Sequence, residues 1–237
     1  DRAFARVHRD GQAMMDTDFS EQRIKMVDGQ IRTTDVTSAP VLSAMLKVPR
    51  ERFVPQSRIG LAYIDENILI SAGRGPDARY MMRPSPFAKL VQLADIAPSD
   101  KVLDVGAGTG YAAAVLSHLA KSVVALESDP ALADQAETIL SGMAADNVTV
   151  VRGELAAGHA AKAPYDVILV GGSVTEVPDA LCAQLGEGGR LVVVEGRGNA
   201  AIARIYVKSN GAVTGRSAFN AAVMPLPGFE RAASFQF

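Results

Sequence analysis

The chain has few cysteines, little net charge and no long apolar run. Its one cysteine, Cys182, cannot form an internal disulfide, which indicates a reducing compartment, and we expect a cytoplasmic protein. The formal net charge of −2 gives no field that would steer the chain to nucleic acid or to an anionic membrane. No apolar stretch is long enough to span a bilayer, and the opening residues lack the apolar core of a signal peptide. We therefore expect neither a nucleic-acid partner nor a membrane partner.

Histidine is also scarce, and its three copies do not suggest a metal or an acid–base pair. His8 lies in the irregular opening stretch, His118 near the end of a predicted helix and His159 in a connection expected to be flexible. No spacing of His, Cys or carboxylate residues is typical of a metal site, so we predict none. Cys182 lies in an apolar helical pattern, where a small buried hydrophobe is the expected role.

The residues that are abundant favour one α/β domain. With 48% hydrophobic content in 237 residues, the chain can bury one good core. Short β-branched runs alternate with helical patterns after Pro98, which predicts a Rossmann-like, mostly parallel sheet with helices on both faces. The predicted strands are VLDVG, SVVALE, VTVVRG, YDVILVG and RLVVVEG, and the predicted helices are AAAVLSHL, PALADQAETILSGM and PDALCAQL. Asn210 and Gly211 predict a type I′ turn and hence a C-terminal antiparallel hairpin at one sheet edge.

The part of the chain before the sheet is organised differently. We interpret residues 1–18 as an irregular leader or tag, 19–98 as a small helical extension with a substrate loop, and 99–237 as the core, effectively in one domain. Two short helices are predicted from SEQRIKMVDGQI and SAPVLSAMLKV. Ser85 is the expected N-cap of a further helix, with Pro86 at its first position.

The segment DVGAGTGY, which begins at Asp104, is the most informative part of the chain. Gly106, Gly108 and Gly110 allow the backbone to turn sharply out of a strand and to come close to a ligand. Glu127 ends the next predicted strand, where a carboxylate can bind two ribose hydroxyls. An acid before the glycines suits a ligand that carries an ammonium and a sulfonium group. The segment therefore predicts a site for S-adenosylmethionine.

Two alternatives to this interpretation stay open. A nicotinamide dinucleotide also binds a glycine-rich turn followed by an acid, although such sites prefer GxGxxG, and Asp104 would repel a pyrophosphate. The segment could also be a tight turn in an α/β protein with no ligand, because short motifs produce false positives.

Further motifs, taken in order, make the chain resemble the protein L-isoaspartate O-methyltransferases, a repair family with the class I methyltransferase fold. The resemblance covers roughly residues 20–230. It is carried by VPRERFVP, LAYIDENILI, KVLDVGAGTGYAAAVLSHL, NVTVVRGE, PYDVILVGG and LGEGGRLVVV. The FVP and AYxD elements are more specific than the glycine motif, which many methyltransferases share. The resemblance implies methylation of L-isoaspartyl carboxylates in damaged proteins, with S-adenosylhomocysteine as the product.

The resemblance also implies roles for the cofactor-binding residues. The three glycines of the motif would face the methionine part of the cofactor, Glu127 the ribose hydroxyls, and Gly153 with Glu154 the adenine edge. The family usually has GDG at this last position, whereas here Leu155 replaces the second glycine. The cofactor-binding candidates are Asp104, Gly106, Ala107, Gly108, Gly110, Glu127, Ser128, Gly153 and Glu154.

The acceptor side departs from the family, whose Thr-Ile-Ser-x-Pro signature binds the isoaspartyl carboxylate. The matching residues of this chain are Tyr80, Met81, Met82, Arg83 and Pro84. In one hypothesis, Arg83 replaces the signature by giving the carboxylate two parallel charge-assisted hydrogen bonds. In the other, the pocket is remade, and the chain methylates another acceptor or only binds the cofactor as a partner module. Arg74, Arg79 and Arg83 are alternatively solvated loop charges.

Methyl transfer to a carboxylate needs no general base, because carboxyl groups, with pKa values of about 4, are already ionised at neutral pH. Tyr63 and Asp65 precede the loop and could shape the acceptor pocket, or could form an ion pair that ties the loop down. The substrate-binding candidates are Tyr63, Asp65, Tyr80, Met82, Arg83 and Pro84. A nucleic-acid acceptor is disfavoured, since GGSVTEVP stands where amino-directed enzymes have Asp/Asn-Pro-Pro-aromatic.

Overall fold

The protein is built on a seven-stranded sheet. A computed structural model describes residues 19–73 and 75–229, so the predicted leader, His8 and Arg74 lie outside the described residues. The strands of this sheet are β3 (Lys101–Val105), β4 (Ser122–Glu127), β5 (Val148–Arg152), β6 (Tyr165–Val174), β7 (Leu185–Glu195), β8 (Ile202–Ser209) and β9 (Ala212–Asn220). Two shorter strands, β1 (Ile68–Leu69) and β2 (Tyr80–Met81), form a separate antiparallel pair.

The strand order in the large sheet is β5-β4-β3-β6-β7-β8-β9. The first five of these strands are parallel, and the last two pair antiparallel. The predicted α/β architecture is therefore confirmed. Because the order reverses between β3 and β6, the crevice at their carboxyl ends is the place where such sheets bind ligands.

Apolar residues fill both faces of the sheet. Along β3, Val102 packs into a cluster on one face and Leu103 into a cluster on the other, as the period of two in a strand requires. The first cluster contains Val27 and Met45 from the N-terminal helices, so this region and the sheet share one core. No helix within the described residues is long and apolar enough to cross a membrane.

The helices flank the sheet as the sequence predicted. They are α1 (residues 19–26, continued by a π turn at Val27–Ile31), α2 (Ala39–Lys47), α3 (Pro84–Ala94), α4 (Tyr111–Ser117), α5 (Pro130–Ser141) and α6 (Asp179–Ala183). The chain also reverses as predicted between β8 and β9, where Asn210 and Gly211 have φ angles of 52° and 77°. Positive φ at both positions is the signature of a type I′ turn.

The predicted cap of α3 was wrong. This helix begins at Pro84 with Arg83 as its N-cap, so Ser85 lies inside the first turn. The Ser85 amide and hydroxyl both donate to the Asp65 carboxylate, at 3.0 and 2.7 Å. A carboxylate from an earlier segment thus replaces a local cap, which a local sequence pattern cannot reveal.

Candidate functional site

The turn between β3 and α4 has the backbone conformation that its glycines permit. Gly106, Gly108 and Gly110 have φ angles of 85°, 57° and 95°, a region that residues with a side chain rarely adopt. The amides of Gly106 and Ala107 donate to the Leu126 carbonyl at 2.9 and 3.0 Å. These bonds fix the glycine turn against the carboxyl end of β4.

Glu127, at the end of β4, is fully buried beside this turn. One of its oxygens accepts from the Gly108 amide at 2.7 Å, and the other accepts from the amides of Ser128 and Asp129 at 2.8 and 2.9 Å. Arg79 adds a two-pronged ion pair, with Nη1 at 2.5 Å and Nη2 at 2.9 Å from the two oxygens. Glu127 is therefore held rigidly at the position predicted for ribose recognition.

Asp104 lies in β3, two residues before Gly106, and is also fully buried. Neither of its oxygens makes a hydrogen bond of good geometry with a described group. Burial, followed by the negative charge of Glu127, raises the pKa of Asp104 to about 7, while the positive charge of Arg79 and the Ala113 amide oppose the shift. A buried carboxylate without a partner is a ready acceptor for a cationic ligand group.

The residues present fit the cofactor that the sequence predicted. The turn offers backbone without side chains, Asp104 offers an unpaired anion, and Glu127 offers a carboxylate at the tip of the next strand. Gly153 follows β5, and Glu154 lies at the rim of an open cleft of about 360 Å³ that includes Glu176 and Phe229. This set can bind a ligand with a cationic end, a diol and a flat ring.

A narrow apolar cavity lies between the glycine turn and the segment predicted to bind the acceptor. Its volume is about 40 Å³, and no charged side chain of the described chain lines it. The walls include Ile70, Tyr80, Met81, Met82 and Phe87 opposite the glycine turn, together with Tyr111 and Gly171. The structure therefore brings Tyr80 and Met82, but not Arg83, to this cavity.

Arg83 has a hydrogen-bonding group without a partner. Its backbone amide donates to Asn67 Oδ1 at 3.1 Å, and Pro84 follows it as the first residue of α3. The side-chain Nε is buried and has no hydrogen-bond partner in the part of the chain that the structure describes. Direct contact between Arg83 and an acceptor stays a prediction.

Tyr63 and Asp65 make hydrogen bonds away from the cavity. The Tyr63 hydroxyl donates to Glu51 and accepts from Arg23 Nε at 2.8 Å, and its pKa is raised by burial and by the bond to Glu51. Asp65 binds the first turn of α3 through Ser85. Neither residue lines the cavity beside the turn, and a direct role in acceptor binding stays a prediction.

Several residues of the site carry no assignment from the sequence. Arg50 is fully buried, donates from Nε to the Ala62 carbonyl and from Nη2 to the Met82 carbonyl, both at 2.7 Å, and stacks over Tyr111 at 4.6 Å. It lies in VPRERFVP, a segment that carries the family resemblance but from which no role for Arg50 is predicted. At Gly171, a Cβ atom would lie 2.9 Å from the Gly106 carbonyl oxygen, so this strand can approach the turn only as glycine.

The remaining candidates do not form a reactive centre. Among residues 19–73 and 75–229, no group of three or more His, Cys, Asp or Glu side chains could hold a metal ion. Cys182, expected to be a small buried hydrophobe, is only partly buried on α6, and this burial raises the pKa of its thiol. The backbone of His159 accepts from the Tyr165 hydroxyl at 2.7 Å and donates to Gln184 Oε1 at 2.8 Å.

Comparisons with known proteins match the chain to one family. The sequence profile of the family "Protein-L-isoaspartate(D-aspartate) O-methyltransferase (PCMT)" matches residues 21–231. A protein-L-isoaspartate O-methyltransferase from Koribacter versatilis is 40% identical over 180 residues, which is 76% of this chain and 79% of that protein.

Solved structures show the same fold. A protein-L-isoaspartate O-methyltransferase is 27% identical with a TM-score of 0.76, covering 87% of this chain and 67% of that one. A Plasmodium falciparum structure in complex with S-adenosyl-L-homocysteine has a TM-score of 0.73 at 20% identity, covering 87% of this chain and 98% of that one.

Proposed function

Because the chain belongs to the protein-L-isoaspartate(D-aspartate) O-methyltransferase family, we propose that it methylates the carboxylate of L-isoaspartyl residues in protein or peptide substrates. S-adenosylmethionine is the methyl donor and S-adenosylhomocysteine the product. The observation that carries the proposal is the pair of buried acids, Asp104 and Glu127, on either side of the glycine turn. The cytoplasmic location expected from the single cysteine stays a prediction.

The residues of the turn would hold the cofactor in a defined orientation. Asp104 would meet its cationic methionine end, Glu127 its ribose hydroxyls, and Gly153 with Glu154 its adenine edge. When bound, S-adenosylmethionine supplies a methyl group on a positively charged sulfur. The unpaired oxygens of Asp104 support this orientation, because burial disfavours the ionised carboxylate and a cation beside it favours that form.

The protein contributes positioning to the reaction. The acceptor carboxylate is ionised at neutral pH, so no side chain has to remove a proton. Arg50 fixes the Met82 carbonyl, and the Thr109 hydroxyl donates to the Phe53 carbonyl at 2.6 Å, so the acceptor segment and the turn are both tied to VPRERFVP. Holding two reacting groups in line can contribute roughly 7–11 kcal/mol in the best cases.

Arg83 is the proposed carboxylate-binding residue. Its buried Nε lacks a partner, and a guanidinium can hold a carboxylate with two parallel hydrogen bonds. It also stands where the family signature has a residue between serine and proline.

The apolar cavity favours a second candidate function. Met81, Met82 and Phe87 form a wall without charge beside the turn, which suits an apolar acceptor better than a carboxylate. In this candidate the cofactor site is retained and another acceptor is methylated.

Two peptides that differ only in one residue, isoaspartyl or ordinary aspartyl, separate these functions. With S-adenosylmethionine labelled in its methyl group, we expect a base-labile ester on the isoaspartyl peptide and none on the aspartyl control. Saturable binding of S-adenosylhomocysteine without ester formation on either peptide would favour the second candidate. Absence of S-adenosylhomocysteine binding would contradict both.

A further inference from the structure

We propose that Arg79 is a positioning residue that occupies the ribose-binding oxygens of Glu127 and gives them up when the cofactor binds. This exchange links the cofactor site to the acceptor strand, and the inference rests on the proposed function. It is carried by the ion pair between Arg79 and Glu127, in which the two side chains are 5% and 0% exposed.

The hydrogen-bonding capacity of Glu127 supports the exchange. An ionised carboxylate offers about four lone-pair positions. Glu127 already accepts from three backbone amides and from both Nη atoms of Arg79. The amides belong to the fold itself, so the Arg79 bonds are the ones that a ribose diol can replace. The diol brings two donors to the place where the guanidinium brings two.

The space beside the turn leads to the same conclusion. A Cβ atom on Gly106 would lie 3.3 Å from Arg79 Nη2 and 2.7 Å from Leu226 Cδ1, and one on Gly108 would lie 2.6 Å from Ile70 Cδ1. Side chains of the protein therefore rest directly on the glycines. The cavity of about 40 Å³ beside the turn holds a few water molecules and is far too small for the methionine and ribose parts of the cofactor, which the turn and Glu127 would hold. Cofactor binding must displace some of these side chains.

The segment that carries Arg79 is suited to such a movement. Residues 72, 73 and 75–77 are exposed, and the short strands β1 and β2 pair with only two residues each. Within this hairpin, the Arg79 amide donates to Ser71 Oγ and the Ile70 amide donates to the Arg79 carbonyl, both at 2.9 Å. Ile70 and Arg79 are thus coupled, so Ile70 follows Arg79 when the arginine leaves the glycine turn.

The hairpin also contains the acceptor strand. Arg79 directly precedes Tyr80 and Met81, which line the acceptor cavity, while Arg50 holds the carbonyl of Met82 at the other end. Release of Arg79 therefore moves the start of this strand, while the hydrogen bond from Arg50 keeps Met82 in place. The positions of Tyr80 and Met81 in the acceptor cavity therefore depend on whether the cofactor is bound.

The test measures binding of S-adenosylhomocysteine by calorimetry to the wild-type protein, Arg79→Ala and Arg32→Ala. Arg32 is an exposed arginine with an ion pair to Asp28 at 3.0 Å, so it controls for loss of an arginine. We expect Arg79→Ala to bind about tenfold more tightly, because the competing internal contact is gone, and Arg32→Ala to match wild type. Equal or weaker binding by Arg79→Ala would overturn the inference. No binding by the wild-type protein would instead contradict the proposed function.

A second variant covers the case in which Arg79→Ala does not fold. Arg79→Lys keeps one charge but cannot form the two-pronged contact, so we expect a gain in affinity that is smaller than for alanine. The steady-state KM for S-adenosylmethionine should fall in parallel, whereas a merely structural role of Arg79 would raise it. A lysine variant with weaker binding or a higher KM would exclude the exchange.

Discussion

Asp104 and Glu127 are two buried carboxylates at the ends of neighbouring parallel strands, with the glycine turn between them and Arg79 bound to only one of them. Glu127 is satisfied by the turn and by the arginine, and Asp104 is not. The negative charge of Glu127 adds to the effect of burial in raising the pKa of Asp104. Because Asp104 lacks the partners that Glu127 has, its pKa lies near neutrality. A cationic ligand group beside Asp104 would therefore favour its ionised form.

Cofactor affinity should therefore depend on pH. With a pKa of about 7, Asp104 is mostly protonated at about pH 6 and mostly ionised at about pH 8. Since a cationic group binds the ionised form, we expect affinity for S-adenosylhomocysteine to fall about tenfold from about pH 8 to about pH 6. Calorimetry at a series of pH values measures this. Asp104→Asn should bind weakly and without this slope, and a variant with the wild-type slope would remove Asp104 from the explanation.

The stability of the protein without cofactor should depend on pH in the opposite sense. The pKa of Asp104 is raised from 3.8 to about 7, so its contribution to stability is fully present below about pH 4 and is lost as pH rises through about 7. At about pH 8 we expect the free energy of unfolding of Asp104→Asn to exceed that of the wild-type protein by an amount on the order of a few kcal/mol. At about pH 5 this difference should be smaller. Urea unfolding at both pH values measures it. A pH-independent difference between the two proteins would argue against a buried, titrating Asp104.

Substitution of Gly108 should abolish cofactor binding. Its φ angle of 57° disfavours a side chain, and its added Cβ atom would meet Ile70 Cδ1 at 2.6 Å. We expect Gly108→Val to lose measurable binding of S-adenosylhomocysteine. Gly60→Ala is the matched control, because a Cβ atom at Gly60 meets nothing within 4 Å. Retained binding by Gly108→Val would show that the glycine turn does not face the cofactor.

Removal of the Arg83 side chain should affect the acceptor and spare the cofactor. We expect Arg83→Ala to raise the apparent KM for an isoaspartyl peptide about tenfold or more, as loss of a charge-assisted bond implies, with S-adenosylhomocysteine affinity unchanged. Arg216→Ala, an exposed position on β9, serves as the control. Equal KM values in all three proteins would exclude Arg83 from the acceptor site.

Arg50 should be important for stability. Arg50→Met keeps much of the side-chain volume but leaves the buried carbonyls of Ala62 and Met82 without their donors. Because each lost bond leaves a polar group unsatisfied, we expect the free energy of unfolding to fall by about 2–5 kcal/mol. Urea titration checks the value. A change below about 0.5 kcal/mol would show that water or another donor replaces the guanidinium.

Local patterns were sufficient for much of the fold. The β-branched runs from Val102 to Val194 predicted the parallel strands because a strand buried on both faces needs continuous apolar residues. Asn210 and Gly211 predicted the hairpin, since few residues accept positive φ in succession. By contrast, Ser85 was misassigned as a cap because its partner, Asp65, comes from a distant segment.

The sequence by itself determined where the backbone turns without side chains beside two acids, which is where we propose that the cofactor binds: alternate glycines and the acids before and after them are local features, and the conformational freedom of a glycine does not depend on distant residues. Only the tertiary structure decided how those acids are paired. Arg79 stands 48 positions before Glu127, and Arg50 stands 32 before Met82. Contacts over such separations form only when the sheet and the hairpin are assembled, so an ion pair or a buried guanidinium of this kind leaves no pattern in the linear chain.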